Sequence, residues 1–186
     1  MEKRLIRRKK LQPDRTIWLE PEGVTTYSPP PSEHPLYALV GEISMRWSFL
    51  EELLDIGISV IADLDQVMTA CFTAQMMGHA PRCLTIKAIA HWRGLPDIEK
   101  AVVTLQNKMF EVSELRNRAI HDRLLIEQKE QVTFRDHRMS KKELHYGLKE
   151  FDRAELERTL SLIDDRRIDC SNLLKLIRSQ VYEYYT

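Results

Sequence analysis

Between Leu36 and Ile61 apolar residues recur every three or four positions: Leu36, Leu39, Val40, Ile43, Trp47, Leu50, Leu54, Ile58 and Ile61. That spacing predicts a long helix with one buried stripe. Pro35 suits its first turn, and Glu42, Arg46, Glu51, Glu52 and Asp55 fall on other faces. Gly57 marks either close packing or a bend. A second stripe, Ile98, Val102, Leu105, Met109 and Val112, predicts a helix over 97–121 with Asp97 as its cap. A third, Leu156, Leu160, Ile163, Leu174, Ile177 and Val181, predicts one over 153–182, opened by the Asp-x-x-Glu signal of Asp152 and Glu155. Over 65–76 either a new helix capped by Asp65 or a continuation of the first is expected, and a short helix over 82–92 follows a loop at 78–81 and ends before Gly94 and Pro96.

Only one region has a strand pattern. Leu124, Leu125 and Ile126 form an apolar run, and Val132 and Phe134 alternate with Thr133 and Arg135. This reads as a short hairpin, with the polar stretch 136–150 irregular. The expected fold is therefore all-α: an up-and-down bundle of four to five helices with a short β-hairpin insertion, over residues 34–186. Residues 1–33 read as a basic tail. Pro13, Pro21 and the run Pro29, Pro30 and Pro31 favour extended polyproline II there, with Trp18 and Tyr27 as candidate anchors.

Composition narrows the class. The 186 residues suffice for one domain with a core. Lys plus Arg and Asp plus Glu each number 28, so a case for nucleic acid must rest on local patches. Cys71, Cys83 and Cys170 lack paired spacing, which suits a reducing cytoplasm. Asp55, Asp63 and Asp65 interrupt the most apolar stretch, so no membrane span is expected. His79, His91, Cys71 and Cys83 match no ligand spacing, so neither a metal nor a cofactor is expected.

The chemistry concentrates in Glu114-Leu115-Arg116-Asn117-Arg118-Ala119-Ile120-His121-Asp122. Arg116 stands on the buried stripe where an apolar residue is expected. A guanidinium keeps its proton, so burial there requires an anionic partner or ligand. His121 lies five residues on, about 140° round an ideal helix. It shares a face with Asn117 and Glu114 rather than with Arg116. One reading is structural: Arg116 pairs with an acid such as Glu51 or Asp55 on a neighbouring helix, and His121 ends its own. The other is chemical: a fixed positive charge and an imidazole that exchanges protons near neutral pH.

Arg116, Asn117 and His121 resemble the Arg-x4–6-His motif near a helix end in HEPN domains, helical bundles of higher eukaryotes and prokaryotes. Trp47 followed by Leu50-Glu51 is similar to the first helix of bacterial members. The resemblance covers roughly residues 35–182. It implies a metal-independent ribonuclease of toxin or defence type, cleaving single-stranded RNA through the RNA's own 2′-hydroxyl, with Arg116, Asn117 and His121 as catalytic residues. It further implies a homodimer with both motifs at one interface, which would offset the 140° separation, and a cognate antitoxin or regulatory protein as a partner. Glu114 and Arg123 would support the site. Arg123 stands where many toxins of the family carry Tyr, which removes that route of control. Arg118 and the terminal Arg7, Arg8, Lys9 and Lys10 are further candidate contacts to RNA phosphates. The alternative within the same resemblance is a non-catalytic module that dimerises or binds a nucleotide or a protein. Buried ion pairs, with Arg116 capped by an acid, would mark that alternative.

Overall fold

The computed structural model describes the backbone of residues 8–12, 15–18, 32–121, 123–126, 132–140, 143–150 and 153–182, and the side chains of 32–121 and 153–181. Among these residues the domain is a bundle of five helices: α1 (Pro35–Ala62), α2 (Gln66–Thr73), α3 (His79–Trp92), α4 (Pro96–His121) and α5 (Arg153–Tyr182). Two strands precede it, β1 (Arg8–Gln12) and β2 (Arg15–Trp18), and three lie between α4 and α5: β3 (Arg123–Ile126), β4 (Val132–Ser140) and β5 (Glu143–Glu150).

The three stripes form the core. Ile43, Leu50, Leu54, Ile58 and Ile61 of α1 pack with Ile98, Val102, Met109 and Val112 of α4 and with Ile163 and Ile177 of α5. Ile86, Cys83 and Ala90 of α3 complete it. Burial pushes the thiols of Cys83 and Cys170 up to about 12, so both are inert core groups. Gly57 marks close packing: a Cβ there would meet Ile177 of α5 and Ile86 of α3.

Polar pairs fix the helix directions. Arg46 of α1 pairs with Asp164 of α5, and eleven residues on Gly57 faces Ile177, so α1 and α5 run parallel. Lys108 reaches Asp169, Gln180 reaches Asp97 and Arg118 reaches Glu155, so α4 runs antiparallel to α5. This direction carries the C-terminal turns of α4 to the N-terminal half of α1, where Trp47 lies.

Several boundaries differ from the sequence expectation. Helix α4 begins at Pro96, so Asp97 lies inside its first turn rather than capping it. There its charge meets the positive end of the helix dipole. Helix α3 starts at His79, because a proline such as Pro81 is tolerated in a first turn, where its missing N–H costs nothing. Helix α2 ends at Thr73, short of Met76, with Asp65 accepting a hydrogen bond from the Met68 N–H at 2.8 Å as its cap. In place of an isolated hairpin, β3, β4 and β5 form a three-stranded antiparallel sheet, and the polar stretch after 136 is strand rather than irregular. Likewise β1 and β2 pair antiparallel within the stretch expected as an extended tail. Asp152, the expected cap of α5, lies outside the described residues. No described helix is long and apolar enough to cross a membrane.

Candidate functional site

Helix α4 carries Arg116, Asn117 and His121 on its last two turns. Arg116 is partly buried, as its place on the stripe requires, while Asn117, His121 and Glu114 are exposed. The Arg116 Nη1 donates to the Asn117 Oδ1 at 2.8 Å. The guanidinium carbon stands 5.9 Å from the centre of the Trp47 ring, a cation–π distance. Its Nε is buried and has no hydrogen-bond partner. No carboxylate among the described residues pairs with it.

The two acids that a structural role called for are engaged elsewhere. Asp55 accepts from Arg82 of α3 at 2.7 and 3.3 Å. Glu51 accepts from the Trp47 Nε1–H at 2.8 Å. Arg82, itself buried, also donates to the carbonyls of Met76 and Gly78 at 2.7 and 2.8 Å, closing the turn from α2 into α3. The interior guanidinium with a structural partner set is thus Arg82, not Arg116.

Trp47 is 3% exposed and anchors the surroundings of Arg116. Its indole N–H is held by Glu51, and His79, the first residue of α3, stands perpendicular to it with ring centres 5.6 Å apart. Burial lowers the His79 pKa below its ordinary value, and the nearby Glu51 carboxylate opposes part of that shift. The imidazole is therefore neutral at pH 7. Sequence offered Glu51 only as an acid for Arg116 and Trp47 only through the resemblance of the first helix. It gave no sign that Trp47 lies against Arg116 or that His79 meets Trp47, contacts set by the crossing of α1, α3 and α4.

Asn117 and His121 are one turn apart on the solvent side, and His121 is the last residue of α4. Arg118 is turned away toward α5, where its Nη1 meets Glu155 at 3.0 Å. Its charge is thus shared with a carboxylate and is less free for RNA than the sequence suggested. Arg8, Lys9 and Lys10 lie on β1 and Arg123 on β3, with side chains outside the described residues, as is the whole of Arg7. No group of three His, Cys, Asp or Glu residues among those described could hold a metal ion.

No family model, curated protein or solved structure matches the chain.

Proposed function

We propose that the chain is a HEPN-like endoribonuclease that cleaves single-stranded RNA without a metal. The observation that supports this reading is the partner set of Arg116: a partly buried guanidinium with an aromatic face beneath it, a carboxamide on one nitrogen and no acid among the described residues. A structural arginine in that position would be neutralised by a carboxylate. This one is left with charge and donors for an anion, and the fork of a guanidinium suits two phosphate oxygens.

RNA supplies its own nucleophile. The 2′-oxygen attacks the adjacent phosphorus, the 5′-oxygen of the next nucleotide leaves with the bonding pair, and a 2′,3′-cyclic phosphate remains. His121 takes the proton from the 2′-hydroxyl or delivers one to the departing oxygen, a contribution of roughly 10²–10⁴-fold. Arg116 binds the phosphate and stabilises the added negative charge of the transition state. Asn117 joins the two, hydrogen-bonded to Arg116 and on the face of His121. In this reading the active form is a homodimer, in which a second copy of the motif supplies the other proton-transfer group. A cognate antitoxin or regulatory protein restrains it in the cytoplasm, and its role is that of a toxin or defence effector.

The test is incubation of the purified chain with single-stranded RNA in excess chelator, followed by analysis of the ends. The expected products carry cyclic phosphate, and RNA blocked by 2′-O-methylation resists. His121→Ala and Arg116→Ala each remove most activity, and Arg116→Lys does not restore it, because an ammonium lacks the planar fork. Cleavage that survives both alanine substitutions, or stops on chelation, refutes this site. If the intact chain binds RNA but never cuts it, the non-catalytic module is the better reading.

A further inference from the structure

Trp47 is not a residue of the Arg-Asn-His motif, yet it is the largest group against Arg116. The indole is fixed on three sides. Its N–H is spent on Glu51, its ring meets His79 perpendicularly, and the rest is buried in the α1 stripe. The remaining face carries the Arg116 guanidinium. A long arginine side chain left to itself samples many rotamers, and holding it for a phosphate costs that freedom. A flat, immobile ring of negative quadrupole removes much of this cost before substrate arrives. It does so without a carboxylate that would compete with the phosphate for the same donors.

We infer that Trp47, locked by its hydrogen bond to Glu51 and its contact with His79, is the positioning residue that presents the Arg116 guanidinium to the scissile phosphate. The inference rests on the ribonuclease reading of the site. Trp47 touches no reacting atom and acts only through Arg116. Glu51 acts one step further back, as the acceptor that sets the plane of the indole.

The test uses the full chain with two RNA ligands: a short single-stranded oligonucleotide for cleavage and its fully 2′-O-methylated counterpart for binding. Trp47→Leu keeps an apolar group in the core but removes the aromatic face, and should lower kcat/KM by about ten- to thirtyfold, the range of a desolvated cation–π contact. Most of that loss should fall in kcat, because the guanidinium contact strengthens in the transition state. Trp47→Phe should recover most of it. In the Arg116→Met background, Trp47→Leu should cost nothing further. A purely structural tryptophan would instead add its penalty to that of Arg116. Should Trp47→Leu fail to fold, Glu51 keeps the inference open to refutation. Glu51→Gln, which retains an acceptor, should stay within about twofold of the parent, and Glu51→Met should lose several-fold. An active parent with a folded, fully active Trp47→Leu, or additive losses in the double variant, overturns the positioning role alone. A parent that neither binds nor cleaves RNA overturns the ribonuclease reading, and this inference with it.

Discussion

Replacing Arg82 and Arg116 by Met in separate variants should give opposite results, although both guanidiniums are at least partly buried. Arg82→Met leaves Asp55 without the two donors at 2.7 and 3.3 Å, and leaves the carbonyls of Met76 and Gly78 without theirs. Breaking a buried pair in this way costs about 3–5 kcal/mol. Asp55 retains 26% of its side-chain exposure, so water recovers part of that loss and about 3–4 kcal/mol is expected. For a chain of this size each kcal/mol is worth about 2–4 °C, so Tm should fall by about 6–16 °C. Arg116→Met loses a cation–π contact of about 0.5–2 kcal/mol and one hydrogen bond to exposed Asn117, about 0.5 kcal/mol. Against that, it removes a buried Nε with no partner, a burden of about 1–3 kcal/mol. At the midpoints these terms cancel, and at their extremes they leave about 2 kcal/mol, so Tm should stay close to that of the parent and move by about 8 °C at most. Calorimetry on the three proteins, with RNA cleavage in parallel, decides the matter. Arg116→Met should be about as stable as the parent and keep only a small residual activity. A fall in Tm equal to that of Arg82→Met would make Arg116 a structural residue and remove the main support for an anion site.

Two further outcomes follow from the packing of the bundle. His79 is held neutral by burial, with a pKa below the ordinary 6.5, so between the two values the unfolded chain binds more protons and stability rises with pH. The contribution of His79 is complete above about 6.5 and is lost as pH falls toward the lowered value; Tm measured from pH 7.5 to 5 should drop less in His79→Phe than in the parent. At Gly57 an added Cβ would meet Ile177 and Ile86 at 3.4 Å, ordinary contact, so Gly57→Ala should stabilise by about 0.5–1 kcal/mol through helix propensity, whereas Gly57→Val should cost about 1–3 kcal/mol by overpacking, both read by denaturant unfolding.

The long helices were legible because burial imposes one period on each of them. Ile43, Leu50, Met109, Ile163 and Ile177 lie on the predicted stripes and are all fully buried. The sheet after α4 was legible only where apolar residues alternate. Further along, pairs such as Asp136 with Gly147 and His137 with Tyr146 form on a stretch with no period-2 pattern. Strand formation there is set by the neighbouring strand more than by the residues themselves. The start of α3 was misplaced because Pro81 reads as a breaker, although the first turn of a helix accepts proline.

Arg116 was legible as a departure from its own stripe, but its partners were not. Sequence offered Glu51 and Asp55 as equivalent acids one turn apart on α1; the crossing of α1 with α3 assigns Asp55 to Arg82, while Glu51 is taken by the Trp47 N–H one turn back on its own helix. The consequence for charge balance is specific. Three arginines among the described residues have a buried Nε without a hydrogen bond: Arg116, Arg118 and Arg166. Arg118 lies against Glu155 at 3.0 Å and Arg166 against Asp169 at 3.2 Å, so in both the charge is met by a carboxylate even where that donor is not well aimed. Arg116 has the same orphan donor with no acid against it among the described residues. Folding alone gives no reason to keep a guanidinium there, since Met or Leu would fill the stripe at lower desolvation cost. A residue that breaks the local pattern with no described carboxylate to balance its charge is where a requirement beyond folding is expected to act. On the ribonuclease reading proposed above, the partner of Arg116 would be an oxyanion that meets its planar fork from the solvent side of α4, where Asn117 and His121 are exposed.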